Sequence, residues 1–121
     1  MSTLYVKEGT GAIYTATLED SAGTAIPLAN LTTITLTLYD VVSGDIINSR
    51  EDQDVKSTNN VTINATSGLL TWTMQAADNP ISDTTLDWEH HRALFEFTFS
   101  GTGTPGKHEA EIMCENLTKV S

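Results

Sequence analysis

Apolar and polar residues alternate along most of this chain, and a period of two marks extended strands whose successive side chains face opposite ways. In TITLTLYD, Ile34, Leu36 and Leu38 fall on one face and Thr33, Thr35, Thr37 and Tyr39 on the other, the pattern of a strand buried on one side only. The same alternation groups Tyr14, Ala16 and Leu18, then Val61, Ile63 and Ala65, then Leu70, Trp72 and Met74. Toward the C-terminus Ala93, Phe95, Phe97 and Phe99 alternate with Leu94, Glu96 and Thr98, and Ala110, Ile112 and Cys114 alternate with Glu109, Glu111, Met113 and Glu115. The abundant threonines agree, because β-branched side chains suit a pleated, half-exposed surface better than a helix. Strands with one apolar face need a cover, so two sheets must meet. The pattern predicts an all-β fold, a sandwich of about seven short antiparallel strands.

Turn residues at 19–23, 43–45, 66–68 and 101–108 separate the strands, with Gly, Asn, Asp and Ser where the backbone must reverse. Two stretches are irregular, 49–60 and 76–90. They read as long loops or a helical turn, and loops carried by a rigid scaffold are where contacts with other molecules concentrate. At 121 residues the chain reads as a single domain, 1–121, with its core over about 11–115 and short tails at either end.

Charge and cysteine usage narrow the picture. Sixteen Asp+Glu against six Lys+Arg give a formal charge of −10, which repels phosphate backbones and anionic lipid heads, so neither nucleic acid nor a membrane is expected as a partner. The acid surplus suits solubility, a basic protein partner or divalent cations. The single cysteine cannot make an intramolecular disulfide, and the first residues, MSTLYVKEGT, lack the basic and apolar regions of a signal peptide. Synthesis in a reducing cytoplasm, without secretion, is the expectation.

No residue set rises to a catalytic motif. GTGTPGKH at 101–108 imitates a phosphate-binding loop, but His108 stands where Ser or Thr must hold Mg²⁺, and its flanks read strand, turn, strand instead of strand, loop, helix. His90 and His91 are adjacent and face opposite ways on a strand, while His108 and Cys114 share a face about 20 Å apart, so no zinc set forms. Cys114 reads as a small core residue. REDQD, with Asp52 and Asp54, resembles the start of a calcium loop without its glycine and closing glutamate, which leaves only an improvised oxygen cage for a hard cation. The four Asn-X-Thr sequons carry little meaning in a threonine-rich chain. Trp72 belongs with Leu70 and Met74 in the core, and Trp88 among polar neighbours reads as a cap on the core edge or a contact point. The expectation is a protein with no enzymatic activity, no cofactor and no metal.

The order of these signals is more particular than the fold class. Pro27 and Leu28 precede the first long strand, Gly68 opens GLLTWT, Asp78 follows shortly after, and FEFTFSG comes near the end. From about Gly11 to Glu115 this layout resembles the immunoglobulin-like domain of phage baseplate upper proteins and other phage virion components. The resemblance implies an immunoglobulin-like β-sandwich and a virion structural part in the baseplate, tail, neck or head. Such a part contacts other virion proteins in a repeated, multi-copy or homo-oligomeric assembly. The chain lacks the long C-terminal extension of baseplate upper proteins, implying a free-standing module. The alternative is a carbohydrate- or ligand-binding module of a cell-surface protein, suggested by the threonine-rich faces and Trp88.

The expected contact surface comprises Glu96, Glu109, Glu111 and Glu115 on the outer faces of the last two strands, with the loops around Trp88, Asp52 and Asp54. Placing Phe97 opposite Ala110 sets Glu96 against Glu111, a like-charge pair read either as a solvated acidic stripe screened by salt or as a docking surface on which a basic flank of a neighbouring subunit relieves the repulsion. If the glycine loop is only a turn, Lys107→Ala leaves stability within about 0.5 kcal/mol, and calorimetry with ATP and Mg²⁺ gives only heat of dilution.

Overall fold

Strands form where the alternation is strict, and they stop where Gly, Asn or Pro interrupts it. The computed structural model describes residues 2–20, 22–99 and 105–117, so residues 101–104 of the glycine loop lie outside it. Among the described residues there are eight strands: β1 (Ser2–Lys7), β2 (Ala12–Thr17), β3 (Leu31–Asp40), β4 (Gln53–Asp54), β5 (Val61–Ile63), β6 (Leu69–Met74), β7 (Trp88–Phe99) and β8 (Gly106–Glu115). One sheet has the order β1-β8-β7-β3-β4 and the other β2-β6-β5. With β2, β6 and β5 read as B, E and D, and β8, β7 and β3 as G, F and C, this is the immunoglobulin-like strand order, β4 adding a C′ strand. The fold is an all-β, immunoglobulin-like sandwich.

The apolar face of each strand turns inward as the pattern requires. Ile34, Leu36, Leu38, Leu70, Trp72, Phe95 and Ile112 are fully buried. Immunoglobulin domains often join strands B and F by a disulfide. Here aromatic rings span the same two strands: Tyr14 on β2 stacks on Phe95 of β7 at 6.5 Å, and Trp72 meets Phe95 edge-on at 5.8 Å. The Tyr14 hydroxyl then hydrogen-bonds His108 on β8 at 2.5 Å.

A buried ion pair fixes the loops at one end. Arg50 and Asp78 are 3% and 0% exposed and meet at 2.6 Å. All five guanidinium N–H groups have acceptors: both Asp78 oxygens, Gln53 Oε1, the Asn59 carbonyl and Asn60 Oδ1. Asp78 also accepts from Asn48 Nδ2 and from the Gln75 amide, which caps the 3-10 turn Ala76–Asp78. The six described non-glycine residues with positive φ, Asn48, Ser49, Asp52, Ser57, Asn59 and Asn60, lie in the segment this network grips. Left-handed backbone is costly for such residues and persists only when its surroundings hold it.

Four sequence expectations are corrected. Residues before Gly11, read as a tail, include β1, which runs parallel to β8 with Val6 buried because LYVK alternates like the other strands. Ala65 is not inward with Val61 and Ile63. It is exposed in a turn where Asn64 Oδ1 accepts the Thr66 and Ser67 amides. Phe97 is buried but faces Gly106, while Ala110 faces Ala93. The like-charge pair accordingly disappears: Glu96 opposes Lys107 and Glu111 opposes Arg92. The displacement is four residues along β8, an even number, so each side chain keeps its face while changing its partner. Opposite charges favour the observed register, and a Cβ on Gly106 would come within 2.2 Å of the Phe97 ring, so glycine leaves the room that ring occupies.

Phe97→Ala is expected to cost about 3–5 kcal/mol in urea unfolding. Gly68 has φ +73° and a Cβ there would lie 2.5 Å from the Ile26 carbonyl oxygen, so Gly68→Ala adds a backbone clash to a left-handed penalty of about 1–2 kcal/mol. A midpoint unchanged in either variant would contradict this packing.

Candidate interaction surface

Because strand partners share a face, the register places every residue of the expected contact surface on one side of the molecule, the outer face of the five-stranded sheet. Trp88 is beside Glu115, which is beside Lys7. Next come His90, Met113 and Tyr5, then Tyr39, Arg92, Glu111 and Thr3 in line across four strands. Glu109 follows with Leu94 and Thr37, and then Lys107, Glu96, Thr35 and Asp54. Asp52 joins the same face through its amide, which donates to Thr37 Oγ1 at 3.0 Å.

The face is a checkerboard of charges where the sequence suggests an acidic stripe. Glu111 is buried. It accepts from Arg92 Nε at 2.7 Å on one oxygen and is bonded by His90 Nε2 on the other, while the Arg92 guanidinium also donates to the Tyr39 hydroxyl. Burial pushes the Glu111 carboxyl up, but the Arg92 and His90 hydrogen bonds and charges together outweigh it and hold the group below its ordinary value. Glu109 and Glu96 lie 3.9 Å from Arg92 and Lys107 with side chains 44% and 40% exposed, a long and partly solvated geometry worth little energy.

Beside the charges lies an aromatic cleft of about 420 Å³ lined by Thr3, Tyr5, Trp88, His90, Glu111 and Met113. Tyr5 and Trp88 are 69% and 38% exposed, their rings perpendicular at 5.9 Å. Trp88 therefore lies exposed on the outer face and does not cap the core edge. Its partner Tyr5 escaped the sequence reading because it belongs to β1, taken there as tail.

The inner ends of β3 and β7 carry a second polar group that the sequence reading missed. Asp40, Glu89 and His91 are buried, and one ligand atom from each lies within 4.8 Å of the others, so these are the described residues that could hold a metal ion. Several of their lone pairs are committed to donors, while His91 Nδ1 is buried with no hydrogen-bond partner among the described residues. Glu89 accepts from His91 Nε2 at 2.7 Å, from the Asp83 amide at 2.8 Å and from Ser82, while Asp40 accepts from the Val42 and Ser43 amides. What the group does visibly is anchor the loop between the 3-10 turn and β7. The available signal was Glu89 and His91 two apart on one strand, hence on one face. Asp52 and Asp54 are not brought together with a third Asp, Glu, His or Cys ligand among the described residues. Cys114 is buried, and burial pushes its thiol up to about 12, as suits an inert core residue.

Glu111 supplies a pH test. Its folded pKa lies below the ordinary 4.5, so its stabilisation is complete above that value and is lost as pH falls through the folded pKa. Glu111→Gln should therefore flatten the acid side of the stability profile, measured by urea unfolding between pH 6 and pH 2, and an acid limb identical to wild type would contradict the assignment.

No protein-family model matches the chain, and no curated protein matches its sequence. Among solved structures it is similar to a chimeric titin Z1Z2 functionalized with a KLER exogenous peptide from decorin. That alignment has 13% sequence identity and a TM-score of 0.43, and it covers 95% of this chain and 44% of the other.

Proposed function

We propose that this domain is a non-enzymatic structural component of a phage virion, a baseplate, tail, neck or head accessory part. It acts through contacts with other virion proteins in a multi-copy assembly and stays in the virion after synthesis in the host cytoplasm. The virion setting rests on the likeness of signal order described above. The contact role is carried by one observation: exposed Tyr5 and Trp88 share a cleft with Met113, bordered on one side by the already paired charges of His90, Arg92 and Glu111. Aromatic residues, Met and Arg are enriched in protein interfaces, and an apolar centre with a polar rim is their usual anatomy. On that side, charges paired within the domain let the apolar centre dock without stranding a buried charge.

A second reading, a carbohydrate-binding module, is favoured by the same cleft. An exposed tryptophan offers its ring face to a sugar, and His90 and Glu111 lie beside it in the cleft as polar groups for hydroxyls.

The test is a Tyr5→Ser, Trp88→Ser double variant that keeps the wild-type circular dichroism spectrum. Its copy number in purified particles, read by mass spectrometry after complementation, should fall by about tenfold or more, since hot-spot aromatics are worth upwards of about 2 kcal/mol each. Normal incorporation would overturn the assembly reading, and glycan-array binding lost on Trp88→Ala would favour the second.

A further inference from the structure

The three-stranded sheet differs from its partner in two ways. First, its outer face, formed by Ile13, Thr15, Thr17, Thr62, Leu69, Thr71 and Thr73, carries no charged side chain among the described residues, although the chain has a formal charge of −10. Second, β2 is an edge strand. It pairs only with β6 among the described residues.

The ladder shows which backbone groups of β2 are left over. The Leu18 amide donates to the Gly68 carbonyl, extending the pairs Ala16 with Leu70 and Tyr14 with Trp72. Hydrogen-bonded positions alternate along an antiparallel edge strand, so Ile13, Thr15 and Thr17 aim their N–H and C=O groups away from β6. Natural edges are blunted by Lys, Pro, bulges or short length. AIYTAT has six residues in regular register, with neither proline nor charge.

The opposite sheet leaves room in the same place. Tyr14 reaches Phe95 on β7 and His108 on β8, so the open side of β2 lies on the side of the sandwich where β1 borders β8. But β1 pairs with β8 only from Ala110 to Glu115, and among the described residues no strand pairs with β8 on that border beside Lys107 and His108. A slot of about 200 Å³ opens there, lined by Thr17, Leu18, Glu19, Asp20, Phe97, Lys107 and His108.

We propose that the β2 edge takes an extended segment of a partner protein as the fourth strand of the three-stranded sheet. The surroundings define the segment. Beside Ile13, Thr15 and Thr17 it carries neutral β-branched residues, and at the end reaching Glu19 and Asp20 it is basic, matching the local acids and the net charge of the chain. A second copy of the whole domain fits worse. Edge-to-edge pairing through β2 drives the overhanging β1 of each copy into the five-stranded sheet of the other. The proposal concerns a different surface from the Tyr5–Trp88 cleft and stands or falls independently of it.

The test is amide hydrogen exchange by NMR on the intact protein, with the peptide acetyl-Thr-Val-Thr-Val-Thr-Lys-Lys-amide as probe. In the free protein the Ile13, Thr15 and Thr17 amides should exchange about tenfold faster than those of Ala16 and Leu18, and millimolar peptide should slow the three by about tenfold. Replacing its lysines by glutamates, N-methylating alternate peptide amides, or introducing Thr15→Pro should each abolish the slowing, since Thr15 gives no N–H to β6. Three outcomes would each overturn the proposal: slow exchange of the three amides without peptide, no change at millimolar peptide, or protection confined to β5 or to the Tyr5–Trp88 cleft.

Discussion

Arg50 and Asp78 form the interaction on which the rest of the sandwich depends, because that pair ties the approach to β4 in the five-stranded sheet to the ends of β5 and β6 in the other. Arg50 precedes β4, Asn59 and Asn60 precede β5, and Asp78 closes the turn after β6. The guanidinium carbon lies 5.7 Å from the centre of the Trp72 ring, so the same side chain also covers the largest residue of the core. A buried ion pair repays its desolvation only when every donor and acceptor is used. Here the five guanidinium N–H groups and both carboxylate oxygens are bonded, which is the condition for it to hold a loop containing six left-handed residues.

With the loops secured at that end, the two sheets are free to differ on their outer faces. The five-stranded sheet gathers charges of both signs, and its register pairs them: Glu111 with Arg92 and His90, and Glu96 opposite Lys107. Beside those pairs lie two exposed aromatic rings, Tyr5 against Trp88. The three-stranded sheet gathers threonine and keeps an unblunted edge. One face carries an exposed apolar centre, and the other leaves backbone hydrogen-bonding groups at its edge.

The fold was legible in the sequence because side-chain direction along a strand depends only on parity. Ile34, Leu36, Leu38, Phe95 and Phe97 could therefore be placed inward from the pattern alone. Register was not legible, since any even displacement of β8 preserves the pattern, and the choice fell to charges and to the fit of Phe97 over Gly106. Arg50 was hidden for a related reason. It stands in an acidic, irregular stretch that reads as solvated loop, and its role is set by an aspartate 28 positions away. Asp78 was noticed as a landmark, without its partner. The seven residues expected at a contact surface share one face, but Tyr5, which completes the aromatic pair, lies in a strand too near the N-terminus to stand out. The buried Asp40, Glu89 and His91 group needed the pairing of β3 with β7, which sets Asp40 opposite His91.

A thermodynamic double-mutant cycle at this ion pair tests most directly whether the domain is organised around it. Arg50→Met and Asp78→Leu should each cost about 3–5 kcal/mol in urea unfolding, because each leaves a buried charge without its partner. The combined variant should lose far less than the two together, giving an interaction energy of about 2–3 kcal/mol. Losses that add within about 0.5 kcal/mol would show that Arg50 and Asp78 act independently, and would contradict the account of how these loops and sheets are joined.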